Sequence, residues 1–294
     1  MKEPLPYVEG VGPSRQRLPP GDWPSVYDFL VARFPSVGAA VWLERMARGL
    51  VVDETGARLG PESPYRAGAH VYYYREPAAE RSIPFEERVI YADEHLLAVD
   101  KPHFLPVAPA GRYLRETLLV RLRRRGMPDS LTPIHRIDRE TAGVVLFSTN
   151  PATRGLYTSL FRERRIEKIY EALTHPNARI NFPLTRRTRL VAGEPFFIMK
   201  EVEGEPNTET HFELLNESDG AVHLRARPAT GRKHQIRLHL SALGMPVVND
   251  RFYPTVSPEE EDDFSKPLKL LAKSVTFTDP LTGQERHFES DRKL

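Results

Sequence analysis

The chain of 294 residues contains no cysteine. That excludes disulfides, a thiol nucleophile and thiolate metal ligands together, and it agrees with a cytoplasmic setting without requiring one. Long apolar runs are missing too. Nothing nears the roughly 20 apolar residues of a membrane helix, so no membrane partner is expected. The opening stretch MKEPLPYVEGVGPSRQRLPPG lacks the apolar centre of a signal peptide. There is no internal repeat, no glycine-rich nucleotide loop and no credible metal-ligand cluster, so neither cofactor nor metal is expected. The formal net charge, +2, is too small to argue for a nucleic-acid partner by itself.

The makeup of that charge says more. Of 42 basic residues, 33 are arginine, whose planar fork suits phosphate contacts and stacking on bases; a G+C-rich genome would give the same bias. Acid gathers in Glu259-Glu260-Glu261-Asp262-Asp263. Base gathers in Arg121 to Arg125, Arg162 to Lys168, Arg186 to Arg189 and Arg225 to Arg237. Signs separated in this way can form a basic face that follows a phosphate backbone.

Residues 1–21, rich in Pro and Gly, read as an N-terminal arm, and 22–80 as a small α/β domain. In it Ser25 caps a helix with Val26, Phe29, Leu30 and Phe34 on one face, and Ala39 to Arg48 forms a second helix stopped by Gly49. Strands follow at Leu50 to Val52 and Val71 to Tyr74. This pattern resembles a degenerate ribosomal-protein RNA-binding module, with Arg45 and Arg48 the only basic residues on the second helix; a plain structural extension reads equally well. The boundary is placed in Arg75 to Pro84, and 81–294 is the catalytic domain.

That domain opens with strands at Arg88 to Ala92 and His95 to Asp100. A helical face of Leu114, Leu118, Leu119 and Leu122 follows, closed by Gly126. Asn150-Pro151 starts a helix to about Arg164, and Ile166 to Leu173 is a strand with Lys168 and Tyr170 on one face. A hairpin is expected around Asn216 to Gly220, a helix over His234 to Leu243, strands at Leu268 to Leu271 and Val275 to Phe277, then a turn and a last strand. The expected fold is α+β, on a mixed, largely antiparallel sheet.

The organising stretch is IHRIDRETAGVVLFS, Ile134 to Ser148. It sets Arg136 and Arg139 around Asp138, then passes Gly143 into an apolar run that reads as a buried strand. A rigid strand can hold a loop carboxylate in one geometry while arginines keep it ionised; a structural ion pair at a strand end is the alternative.

HRIDRETAGVVLFS resembles the central motif of the RluA-type pseudouridine synthases, which isomerise chosen uridines in structured RNA. Lys168-Ile169-Tyr170, Thr230 to His239, and Leu243 to Pro246 with Asp250 and Tyr253 resemble further stretches of that family, in the same order. The resemblance covers Val89 to the C-terminus. Asn249 departs from it, standing where the family has Gly; Asn tolerates left-handed backbone, so the turn is expected to survive.

The resemblance implies a cofactor-free isomerase acting on ribosomal or transfer RNA, expected as a monomer. Asp138 is then the nucleophile, Arg237 its cationic neighbour, and Tyr170 the ring stacked on the uracil and a candidate for proton transfer. Arg136 fills the place that the uridine vacates. His135, Arg139, Lys168, Gly231, Arg232, His234 and Gln235 are the remaining substrate-binding candidates, with His135 expected to pack or bond locally. Two rivals stand. One is an RNA-binding protein without catalysis, which would not need Asp138, Tyr170 and Arg237 together. The other is a metal-dependent nuclease using His135, Asp138, His234 and His239; the last two lie five apart and diverge on a helix.

Overall fold

The computed structural model describes residues 6–75, 80–218, 220–257 and 262–294. The start of the expected arm, most of the boundary segment's first half, the turn residue at 219 and the first three residues of the acidic run, 259–261, lie outside the described residues. The chain divides into two compact units, Met1–Glu80 with Gly111–Arg115, and Arg81–Ala110 with Glu116–Leu294.

The small unit comprises β1 (Ser14–Arg17), α1 (Val26–Arg33), α2 (Ala39–Ala47), β2 (Val51–Asp53) and β3 (His70–Tyr73), its sheet ordered β1-β3-β2 and antiparallel. Ser25 caps α1 by accepting the Asp28 N–H at 3.1 Å. Leu18, Phe29, Leu30, Trp42, Val51 and Val71 make its core. Ser14–Arg17, expected as arm, is a strand, because the buried Leu18 fixes its end in that core. Of the two arginines on α2, Arg45 turns inward, 5.1 Å from the Trp42 ring, and Arg48 lies 3.4 Å from Glu44. Arg45 is buried and Arg48 stays half exposed at the end of the helix.

The large unit runs β4 (Arg88–Ala92), β5 (Leu96–Lys101), α3 (Leu118–Arg124), β6 (Thr132–Pro133), β7 (Ala142–Ser148), α4 (Arg154–Arg162) and β8 (Ile166–Thr174). It continues through β9 (Leu184–Ala192), β10 (Met199–Val202), β11 (Thr208–Ser218), β12 (Ala221–Pro228), α5 (Gln235–Ala242), β13 (Leu270–Thr278) and β14 (Glu285–Glu289). One sheet takes the order β10-β9-β11-β12-β8-β13-β7-β5-β4, with β14 on β13 and β6 on β7. Only the β13–β7 pair is parallel, so the α+β fold with a mixed, largely antiparallel sheet is what forms. Among the described residues no helix is long and apolar enough to cross a membrane.

Local chemistry explains the differences from expectation. The α3 helix leaves out Leu114 because Thr117 caps it, accepting the Val120 N–H. The α4 helix starts at Arg154 because the Asn150 side chain closes a turn on the Ala152 N–H at 3.0 Å. The two expected C-terminal strands are one, β13, interrupted by an irregularity between Ala272 and Ser274. Strands β9 and β10 were not foreseen, since Arg186 to Arg189 break any apolar alternation.

Two apolar cores flank the site. One joins Val144 and Leu146 of β7 to Tyr157 and Leu160 of α4; the other joins Leu224 and Ala226 of β12 to Ile236 and Leu240 of α5. Gly143 lets the two halves meet. Its φ is +114°, and a Cβ there would fall 2.1 Å from the Ala272 carbonyl oxygen of β13. Only glycine permits that approach.

Gly143→Ala is therefore expected to destabilise the fold by about 3 kcal/mol or more, since strained φ and a backbone clash combine; a denaturant midpoint near wild type would contradict this. His135 and His239 are held neutral by burial, at about 3 and about 4. Their folded values lie below the unfolded value near 6.5, so below it the unfolded chain binds more protons. Stability should fall as pH drops from about 6.5 towards 4, each histidine adding up to about 1.4 kcal/mol per pH unit. Urea titrations of wild type and His239→Gln at pH 7 and 4.5 check the slope.

Candidate active site

The segment before β7 is tied down at both ends. The Ile134 N–H donates to the Leu146 carbonyl at 3.0 Å, and the Thr141 N–H to the Asp138 carbonyl at 3.2 Å. His135 accepts the Leu146 N–H at its Nε2 (3.0 Å) and stacks on Phe161 at 4.5 Å, so it packs locally as expected. Lys101, wholly buried at the end of β5, donates to the carbonyls of Pro102, Leu105 and Arg139 at 2.7 to 3.0 Å. It thereby pins the peptide beside Asp138, and burial brings its pKa down to about 7.

Arg237 comes from the first turn of α5 and is 1% exposed. Its Nε and Nη2 donate to the two oxygens of Asp250, each at 2.7 Å, and its Nη1 donates to Asp138 Oδ2 at 3.3 Å. Asp250 also accepts the Phe252 and Tyr253 N–H groups, at 2.8 and 3.2 Å. Asn249 before it adopts φ +64°, the left-handed turn that was expected to survive there. Burial opposes the charge of Arg237, but its bonds to Asp250 and the nearness of Asp138 hold its pKa above the ordinary value.

Burial pushes Asp138 up as well, and cationic neighbours outweigh it, leaving the carboxyl below its usual range. His234 Nε2 lies 3.8 Å from Asp138, with Nδ1 2.9 Å from the Tyr253 hydroxyl. Burial brings His234 to about 4. Near neutrality that ring is uncharged, and the guanidinium is what keeps Asp138 ionised.

Tyr170 lines the same cavity, its hydroxyl kept protonated by burial and by the charge of Asp138. Lys168, two residues earlier on β8, points the same way and donates to the Thr230 carbonyl at 3.0 Å. Gly231, Arg232 and Arg136 also line the cavity, the two arginines exposed.

Two candidates are engaged by the protein itself. Gln235 lines the cavity but spends its amide inside the protein, accepting from the Thr230 hydroxyl (2.7 Å) and Arg232 N–H (3.1 Å) and donating to the Glu209 carbonyl and Thr210, both at 2.9 Å. Those bonds position the 230–232 loop. Arg139 sits in the turn that the Thr141 N–H closes on the Asp138 carbonyl, and its side chain leaves the cavity. It makes a bidentate pair with Asp262 at 2.8 Å and does not line the cavity. His239 has both ring nitrogens within 3.1 Å of threonine hydroxyls of β9 and β11, away from His234. The proposed chelating pair is thus not assembled.

The cavity encloses about 810 Å³. Arg136, Arg162, Arg164 and Lys168 line it from one set of elements, and Arg232, Lys233 and Arg237 from the loop and start of α5; Asp138 is its one lining carboxylate among the described residues. Sequence reading had given no role to Lys101, Asp250, Arg164 or Lys233. Asp250 and Lys233 stood within quoted motifs, which carry residue identity and not the partner each side chain meets. Such a basin suits a polyanion bearing one group that reaches a lone acid.

Comparison with known proteins is consistent with that chemistry. The RNA pseudouridylate synthase family matches residues 95–242. An RNA pseudouridine synthase of Synechocystis is 31% identical over 232 residues, covering 77% of this chain and 78% of its own length. A dual-specificity RNA pseudouridine synthase, RluA, of Haemophilus influenzae is 30% identical, covering 69% of this chain and 91% of its own. The solved structure of human RNA pseudouridylate synthase domain containing 1 shares the fold, with a TM-score of 0.59 and 24% identity over 73% of this chain and 86% of that one. The chain belongs to the RluA-type RNA pseudouridine synthases, isomerases whose substrate is RNA.

Proposed function

We propose that this chain isomerises particular uridines in structured ribosomal or transfer RNA, as a cytoplasmic monomer, with Asp138 as nucleophile. The observation that carries the reading is the carboxylate itself. It is the one acid lining a basic cavity among the described residues, and a guanidinium 3.3 Å away keeps it ionised without burying it in a tight pair. A carboxylate so placed can attack the nucleotide at the ribose or at the uracil ring. The bond from N1 to the ribose breaks, the base turns, C5 bonds to the same ribose carbon, and the C5 proton leaves as N1 gains one. Atoms and electrons balance without cofactor.

Tyr170 stacks on the uracil. Because its phenol stays protonated, the freed Asp138 carboxylate is the better acceptor for the C5 proton. Arg136, exposed at the rim and without a hydrogen bond or ion pair among the described residues, is free to enter the stack. A uridine in a duplex must leave that stack, at a cost of a few kcal/mol. Arginine's flat face offsets part of this.

Asp138→Asn should abolish pseudouridine formation on RNA from a deletion strain, mapped site by site, while RNA affinity stays within a few-fold; a fully active variant would refute the nucleophile. Arg136→Ala should lose at least about ten-fold more rate on folded RNA than on a short unstructured substrate, as befits unstacking worth a few kcal/mol. Equal losses on both would count against that role.

A further inference from the structure

Lys168 and Arg164 face the same cavity with no carboxylate between them. Lys168 Nζ donates to the Thr230 carbonyl at 3.0 Å and forms no ion pair among the described residues. The Arg164 side chain has neither hydrogen bond nor ion pair among them. Burial and the nearby Arg164 charge together bring the Lys168 ammonium down to about 8. Two like charges on one wall of the cavity repel each other, a cost that an arriving anion would relieve.

Arg164 also stands in a left-handed backbone, φ +56°, just past α4, where glycine or asparagine is the usual occupant. The helix dipole explains a cation near that end. It does not explain Lys168 on β8, nor what lies opposite. Gly231 has no left-handed φ that would demand glycine, and an added Cβ would meet one atom within 4 Å, Lys168 Nζ at 3.8 Å. Its backbone would accept a side chain; what the missing side chain leaves open is the ammonium.

We propose that Lys168, Arg164 and the bare backbone at Gly231 form a seat for one phosphate of the RNA beside the target uridine. With that phosphate held, the extruded nucleotide has a fixed reach to Asp138. The seat rests on the reading that RNA enters this cavity, and it adds where the backbone is gripped.

The test measures binding of RNA from the deletion strain across a series of salt concentrations. Arg164→Gln should weaken affinity about five- to ten-fold near 0.1 M salt and lower the slope of log affinity against log salt by about one, as for a lost phosphate contact. Gly231→Val removes no charge yet should weaken binding in the same direction by covering the ammonium. Arg88→Gln, which loses a charge paired with Asp291 at 2.6 Å and away from the cavity lining, should leave the slope as it was. Lys168→Gln also loses the Thr230 bond, so the other two variants decide. Wild-type affinity and slope in either Arg164→Gln or Gly231→Val would overturn the seat. Asp138→Asn should keep the wild-type slope, so a failed nucleophile and a failed seat are read in different measurements.

Discussion

Arg237 divides its guanidinium between two carboxylates, and the site depends on the unequal division. Asp250 takes two nitrogens at 2.7 Å, while Asp138 receives the third at 3.3 Å. A cation that is 1% exposed needs a firm counter-charge, and removing one partner of such a buried pair costs several kcal/mol. Asp250 meets that need. Asp138 is therefore stabilised as an anion without being consumed by a bidentate embrace, and it still lines the cavity. The Phe252 and Tyr253 rings, 5.0 and 5.6 Å from the guanidinium, fix its plane from the side.

Bringing these groups together is the task of the sheet. Asp138 precedes β7 and Arg237 follows β12, 99 positions on. They meet because β7 lies parallel against the start of β13, which in turn pairs with β8 and carries Tyr170 into the same space. Gly143 is the narrow point of that arrangement. The β7 strand, buried along its whole length, supplies the rigid base on which the preceding loop can be held, and Lys101 ties that loop, through the Arg139 carbonyl, to the stretch after β5, whose Pro102 and Leu105 carbonyls it also holds.

A net charge of +2 conceals strong polarity. Many acids of the chain are engaged by arginines outside the cavity, as in Arg139–Asp262, Arg186–Glu201 and Arg227–Glu213. The cavity lining keeps its cations largely unanswered. Gathered around one basin, such charges sum at the position of a bound phosphate, which scattered surface arginines do not do.

Much of this was legible along the chain. The turn signal at Asn216 to Gly220 marked the β11–β12 hairpin, the apolar run marked β7, Ser25 marked a helix start, and the ordered motifs named Asp138, Tyr170 and Arg237. Strands β9 and β10 were hidden because their arginines pair across the sheet edge, a pattern with no apolar alternation. That Arg139 points to Asp262 and not into the cavity was hidden, because a motif carries residue identity and not direction. The sequence by itself determined which groups the chemistry has and which backbone positions are special, since those follow from residue type and local spacing. Tertiary structure alone decided which carboxylate Arg237 grips tightly and which it holds loosely, and which cations stay without a partner. Those depend on distances between residues far apart in the chain, and distance at that range is set by packing.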